Sequence, residues 1–204
     1  MEFRWAESRE AFEAASRWFV ATAAEVRDRW EAPGLGVWDV RALVGHTSRA
    51  LLTVEAYLVR PAEQVEVESA PLYYRATRSM AGGAAVTQRG RDAGQALGAD
   101  PSAAVAEIAD RVVRLVQTCT GEELLTTIAG GMRLVDYLPT RTFELVIHTC
   151  DLATTLGAPL AVPTAAARQT MQIISELVID DPRAGTVLLA LTGRNALPGE
   201  FSVL

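Results

Sequence analysis

Apolar residues recur along the chain at helical rather than alternating spacing. Phe12, Ala15, Phe19, Ala23, Val26 and Trp30 fall three or four residues apart, the spacing that puts side chains on one face of a helix. This predicts a helix over about 5–30. The run Glu31-Ala32-Pro33-Gly34-Leu35-Gly36 breaks the pattern, because proline and glycine together stop a helix. Asp39 suits the cap of a second helix at 39–58, whose apolar face is Leu43, Val44, Ala50, Leu51, Val54 and Leu58. Pro61 marks its stop.

Residues 61–100 carry the weakest pattern. Leu72, Tyr73 and Tyr74 are candidates to cover part of the core, Gly82-Gly83 is a break, and 84–97 reads as a short, weak helix. Asp100-Pro101 then opens a clear helix over 101–118, with an acidic cap and proline at the first helical position. Its buried face is Val105, Ile108, Val112, Leu115 and Val116. Leu124 to Ile128 with Gly130-Gly131 suggests a short extended piece and a turn. Asp136 is a candidate cap for a helix at 136–156, with Pro139 tolerated in its first turn and Gly157 as its stop. Pro163-Thr164 opens another helix to Ile179, ended by Asp180-Asp181-Pro182. Thr186–Leu191 is apolar and short, and the tail from Gly193 to Leu204 has a final piece with strand character.

Four long amphipathic helices with few strand signals predict an all-α protein, an antiparallel four-helix bundle with extra short helices and a short C-terminal tail. One domain spanning 1–204 fits the length, with a core over about 5–180 and a tail over about 185–204.

Half of the residues are hydrophobic, enough for a sizeable core, and the formal net charge is −6 with a pI near 5.0. An acidic chain lacks the basic face of nucleic-acid binders and is not drawn to anionic membranes. No apolar run approaches the roughly 18 residues of a membrane span. Charged residues crowd the start of the chain where a signal peptide has its apolar region, so the expected location is the cytoplasm. All of the basic residues are arginine. The lack of lysine excludes a Walker-A loop, a pyridoxal-phosphate Schiff base and a lysine nucleophile. Cys119 and Cys150 are too few for a disulfide framework and read as reduced, packed thiols.

The chain has two histidines. His148 follows Glu144 by four residues, so both project from one helix face, with Arg141 one turn earlier and Asp151 one turn later. Buried charge on that face must find partners. His46 lies on the second helix beside Leu43 and Ala50. Two imidazoles and a carboxylate suit zinc or a similar divalent ion. A Glu144–His148 ion pair with an unrelated surface His46 fits the spacing as well. Asp151 either orients a ligand histidine or is solvated. Arg141 either binds a substrate carboxylate or pairs with Glu144 or Asp151. Tyr73, Tyr74, Arg75 and Arg78 either line a pocket or pack as a loop, and the tryptophans read as core.

The segment Trp38-Asp39-Val40-Arg41-Ala42-Leu43-Val44-Gly45-His46 resembles the W-[ST]-V-R-D-L-V-x-H segment of mycothiol-dependent maleylpyruvate isomerase N-terminal domains. Arg141-Thr142-Phe143-Glu144-Leu145-Val146-Ile147-His148-Thr149-Cys150-Asp151-Leu152 resembles that family's R-x-x-E-x-x-x-H-x-x-D-L segment, and Gln88–Ala93 through Asp100-Pro101 is also similar. The likeness covers about 5–160. It implies a DinB-like metal-binding bundle with His46, Glu144 and His148 as the ligands. Asp39 stands where the family has Ser or Thr, a conservative exchange. The family's isomerase has a further C-terminal domain that contributes to its active site, and the segment after Gly157 is shorter than such a domain.

The resemblance implies a metal-dependent enzyme that uses a low-molecular-weight thiol, mycothiol first, for S-transfer to a small electrophile or its thiol-assisted isomerisation. Arg141 and Asp151 are then the candidate catalytic residues. The ion is expected to be Zn2+, with Ni2+, Fe2+ and Mn2+ as alternatives that the same donors accept. The expected partners are the thiol and the electrophile, with no nucleic acid and no membrane, and a homodimer is compatible with the sequence. The alternative reading is a bundle protein that binds metal or a small molecule without turnover.

Overall fold

The computed structural model describes residues 3–80, 83–179, 181–199 and 201–204. The breaks read at Gly82 and Asp180 lie outside the described residues. The chain is mostly helical: α1 (Trp5–Ala24), α2 (Val40–Leu58), α3 (Ala70–Thr77), α4 (Ala84–Ala96), α5 (Pro101–Gln117), α6 (Leu134–Leu156), α7 (Thr164–Ile179) and α8 (Ala184–Leu191). A short 3-10 turn, Arg78–Met80, follows α3. The strands β1 (Leu124–Thr127) and β2 (Gly130–Arg133) form one antiparallel hairpin. No described helix is long and apolar enough to cross a membrane.

The apolar stripes meet in one core. Phe12, Phe19 and Val26 near α1, Leu43, Leu51 and Val54 on α2, Val105 and Val112 on α5, and Leu138, Leu145 and Leu152 on α6 are fully buried. Both α1 and α2 pack against both α5 and α6, while α7 covers α1 and α6 and α4 lies along α2. The side chain of Asp39 accepts from the amide of Ala42 at 2.7 Å and that of Asp100 from Ala103 at 3.0 Å, as expected of caps. Gly157 ends α6 in the left-handed conformation (φ 68°).

Three boundaries differ from the sequence expectation. The first helix ends at Ala24 rather than near Trp30, and Arg27 takes a left-handed turn (φ 55°). The carbonyls of Trp30 and Ala32 instead accept from the amides of Arg41 and Val40, donors that the first turn of a helix leaves unpaired. The long helix starts at Leu134 rather than at Asp136. Its first amides, Leu134 and Val135, donate to the carbonyls of Glu123 and Gly121, so no side-chain cap is needed. Asp136 instead accepts from Arg133 Nε at 2.7 Å, and Pro139 lies inside the helix, beyond its first turn. The final piece, 201–204, is not a strand. The weakly patterned 61–100 region holds α3 as well as α4, and α3 buries Tyr73 and Tyr74 while Leu72 is exposed.

The approach of α4 to α2 is unusually close. A methyl group on Gly45 would lie 2.1 Å from the amide nitrogen of Gly94, inside any allowed contact. In an ordinary helix a glycine-to-alanine change stabilises by about 1 kcal/mol. Here the sign should reverse: Gly45→Ala should cost about 1–3 kcal/mol by overpacking, read by urea denaturation. A neutral or stabilising effect would refute this packing.

Candidate metal centre

Arg141, Glu144, His148 and Asp151 occupy successive turns of α6, at spacings of three, four and three residues, which aligns them along one side of the helix. Leu145 and Leu152 are fully buried beside them, so this side faces inward. The contact of α2 with α6 brings His46 opposite. The rings of His46 and His148 meet edge to face with centroids 4.8 Å apart. His46, Glu144 and His148 each offer one ligand atom, and these atoms lie within 4.8 Å of one another. Two metal–ligand bonds laid end to end span about 4.2 Å, so small side-chain rotations suffice to close on one ion.

Each ligand is held by a second group. His148 Nδ1 lies 3.1 Å from Asp151 Oδ2, which fixes the tautomer that leaves Nε2 free for an ion. That Nε2 is 3.4 Å from Glu144 Oε2. Tyr74 from α3 donates to Glu144 Oε1 at 2.9 Å and reaches the Thr140 carbonyl at 3.0 Å. The indole of Trp38 lies against His46, centroids 4.6 Å apart, and its Nε1 donates to the Thr87 carbonyl on α4 at 2.9 Å. The side chains of His148 and Glu144 remain 17% and 26% exposed, so one side of the cluster opens to solvent.

The electrostatics follow from this packing. Burial, reinforced by the neighbouring His148 charge, holds the His46 imidazole down at about 4. Burial opposes the charge of Glu144, but the hydrogen bond from His148 and the Arg141 charge bring it to about 2. Burial also opposes the charge of His148, and is outweighed by hydrogen bonds to Asp151 and Glu144 that lift it to about 9. The metal-free cluster is therefore a neutral His46 beside a Glu144–His148–Asp151 ion-paired row.

The residues fit a divalent ion. The donor set is two imidazoles and one carboxylate, and His46 Nδ1 is buried with no hydrogen-bond partner among the described residues. A surface His46 unrelated to the Glu144–His148 pair does not describe this arrangement. Asp151 touches a ligand histidine. Arg141 does not meet the open side: it is only 8% exposed, its Nε donates to Thr140 Oγ1 at 2.9 Å and its Nη2 to Tyr73 OH at 3.4 Å, and it lies over the rings of Tyr73 and Tyr137. Its charge acts on Glu144 from behind. Sequence reasoning read Trp38 as core and offered Tyr74 as a pocket or packing residue, but paired neither with the metal-ligand candidates. Trp38 stands eight residues before His46 in the quoted motif, so its place was a usable signal. Nothing in the sequence paired Tyr74 with Glu144, 70 residues away. Cys119 and Cys150 are free and partly buried, and burial pushes both thiols up.

Residues 9–153 match the family model described as mycothiol maleylpyruvate isomerase N-terminal domain. No protein of curated function and no solved structure matches the chain.

Two outcomes are expected. Elemental analysis should find metal in the wild type and a sharp loss in His46→Ala, Glu144→Ala and His148→Ala with helicity retained, while Asp151→Asn should weaken zinc about 10- to 100-fold. Equal metal content in all of them would defeat the site. Zinc binding should also depend on pH. His148 must lose its proton to ligate, and it is protonated below about 9 in the metal-free protein. The apparent affinity should thus rise about tenfold per pH unit between about pH 6 and 9 and then level off, as for displacement of one proton. Chelator competition across that range checks this, and a flat profile contradicts it.

Proposed function

The chain belongs to the mycothiol maleylpyruvate isomerase N-terminal domain family, and on that premise we propose that it is a metal-dependent enzyme acting through a small thiol, mycothiol first. The observation that carries this reading is the convergence of His46, Glu144 and His148 on one point that is open on one side. The reaction is S-transfer to a small electrophile or its thiol-assisted isomerisation. In transfer, a sulfur–carbon bond forms as the leaving group departs with its electron pair. In isomerisation, the thiolate adds to a carbon–carbon double bond conjugated to a carbonyl, the π pair moves onto that carbonyl, the resulting single bond rotates, and the pair returns to restore the double bond as the sulfur–carbon bond breaks. Neither course needs an oxidant or reductant.

A divalent ion here supplies Lewis acidity, which favours the thiolate form of a thiol at the open position. Zinc suits the donors best, and nickel, iron and manganese are accepted by the same set. His46, Glu144 and His148 hold the ion and move no proton in the reaction. Asp151 keeps His148 Nδ1 protonated and Nε2 free. Tyr74 occupies one oxygen of Glu144, and Arg141 stabilises the Glu144 carboxylate. Arg141 and Asp151 are positioning residues in this reading. We read α1, α2, α5 and α6 as the antiparallel four-helix bundle of DinB-like proteins, with α3, α4 and α7 packed around it.

The test uses cobalt(II)-substituted protein titrated with mycothiol and with 2-mercaptoethanol. A new sulfur-to-cobalt absorption band is expected, followed by thiol consumption when electrophiles are supplied. A cobalt spectrum that answers to neither thiol would defeat the reading. A spectrum that responds without turnover of any electrophile would leave a thiol-binding protein that is not an enzyme.

A further inference from the structure

The two histidines of the cluster are held in different ways. His148 has a hydrogen-bonded anchor, its Nδ1 meeting Asp151 Oδ2 at 3.1 Å. His46 Nδ1 is buried and has no partner among the described residues. A metal-bound imidazole is ordinarily oriented by a hydrogen bond from its second ring nitrogen, so the orientation of His46 needs another source. The contacts of its ring supply one. The indole of Trp38 lies on it with centroids 4.6 Å apart and planes inclined at 34°, and His148 meets it edge to face.

Trp38 can orient a neighbour because it is itself fixed at several points. It stands just before α2, in the turn that leads into that helix. There its amide donates to the Leu35 carbonyl at 3.0 Å, and its carbonyl accepts from the Gly34 amide at 2.9 Å. Its Nε1 donates to the Thr87 carbonyl on α4 at 2.9 Å. The edge of the indole rests on Gly90, three residues further along α4. A Cβ on Gly90 would lie 2.6 Å from Trp38 Cε2, 2.7 Å from Cζ2 and 2.8 Å from Nε1. Neither the position nor the tilt of the indole is free while α4 is in place.

A histidine ring turns about two bonds. Ordering it at the moment of binding lowers affinity, and a ring already held escapes that loss. The two ways of holding a ring differ in what they leave available. A carboxylate takes up one imidazole nitrogen, as Asp151 does. An indole face restrains the ring by stacking and takes up neither nitrogen in a full-strength hydrogen bond.

We propose that Trp38 is the positioning residue of His46, and that α4, which supplies no ligand, sets the metal affinity of the cluster through it. The proposal rests on the metal-binding part of the proposed function and is independent of the thiol. The effect of Trp38 on metal binding must then pass through His46, which an ordinary packing contact would not require.

The test is a double-mutant cycle read by zinc competition with a chromogenic chelator, with helicity followed by circular dichroism. Trp38→Ala should weaken zinc about tenfold, as expected for loss of a group that orients a ligand, and should have no further effect in His46→Ala. Trp38→Phe keeps a ring on His46 and should lose less. Gly90→Ala should displace the indole and weaken zinc severalfold, again only while His46 is present, although alanine favours a helix more than glycine does. Asp151→Asn, which acts on the other histidine, should weaken zinc with or without His46. Zinc bound as tightly by Trp38→Ala and Gly90→Ala as by the wild type overturns the proposal. So does a loss of the same size with and without His46, the mark of general loosening. If Trp38→Ala loses helicity, Trp38→Phe and Gly90→Ala decide by the same criteria. Equal zinc binding by wild type and His46→Ala defeats the metal centre itself, whereas a dependence on His46 without one on Trp38 defeats only the positioning role.

Discussion

The constraint on which the site depends is the burial of ionised groups on α6. Arg141 is almost wholly inside, and Glu144 and His148 are mostly so. Uncompensated charge in such a place is costly, so the surrounding elements must supply partners. Tyr73 and Tyr74 arrive from α3, the first for the Arg141 guanidinium and the second for Glu144 Oε1. Asp151, one turn further along α6, takes His148 Nδ1. These contacts explain why a short helix in a weakly patterned stretch is anchored against α6: it carries the two phenols that the buried charges require.

The same row of charges bears on metal binding. Without metal, Glu144 and His148 satisfy one another, and within the cluster His46 is left with a buried nitrogen that has no partner among the described residues. An ion would replace the proton shared in that pair and recruit His46 as a third donor. A proton and a metal ion would therefore compete for the same pair. Trp38 packs on His46, and its indole is fixed to α4 through the Thr87 carbonyl. The glycines at 45, 90 and 94 let α4 lie close enough to do this.

Much of this was legible in the sequence. The apolar stripes of α1, α2 and α5 are set by a period that backbone geometry imposes, so residues such as Phe12, Leu43 and Val112 were identifiable as core without knowing what they would touch. The Asp39 and Asp100 caps follow from local hydrogen bonding within a few residues. The spacing of Glu144 and His148 placed them on one face, and the motif around His46 suggested its partner. Boundaries were less legible where distant backbone groups replace local signals. The start of α6 is capped by carbonyls of Glu123 and Gly121, and the end of α1 is set by where Trp30 and Ala32 meet α2.

By itself, then, the sequence determined which long segments are helical, which of their faces are apolar, and which few side chains have metal-binding chemistry. Those properties depend on residues three or four apart. The tertiary structure decided what the polar side chains do. It turned Arg141 inward onto Tyr73 and Tyr137, gave Tyr74 to Glu144, and laid Trp38 on His46. No local rule carries that information, because it depends on the rotation and register of helices packed from distant parts of the chain. Here that register is fixed by a contact between two glycines that have no side chains to mark it.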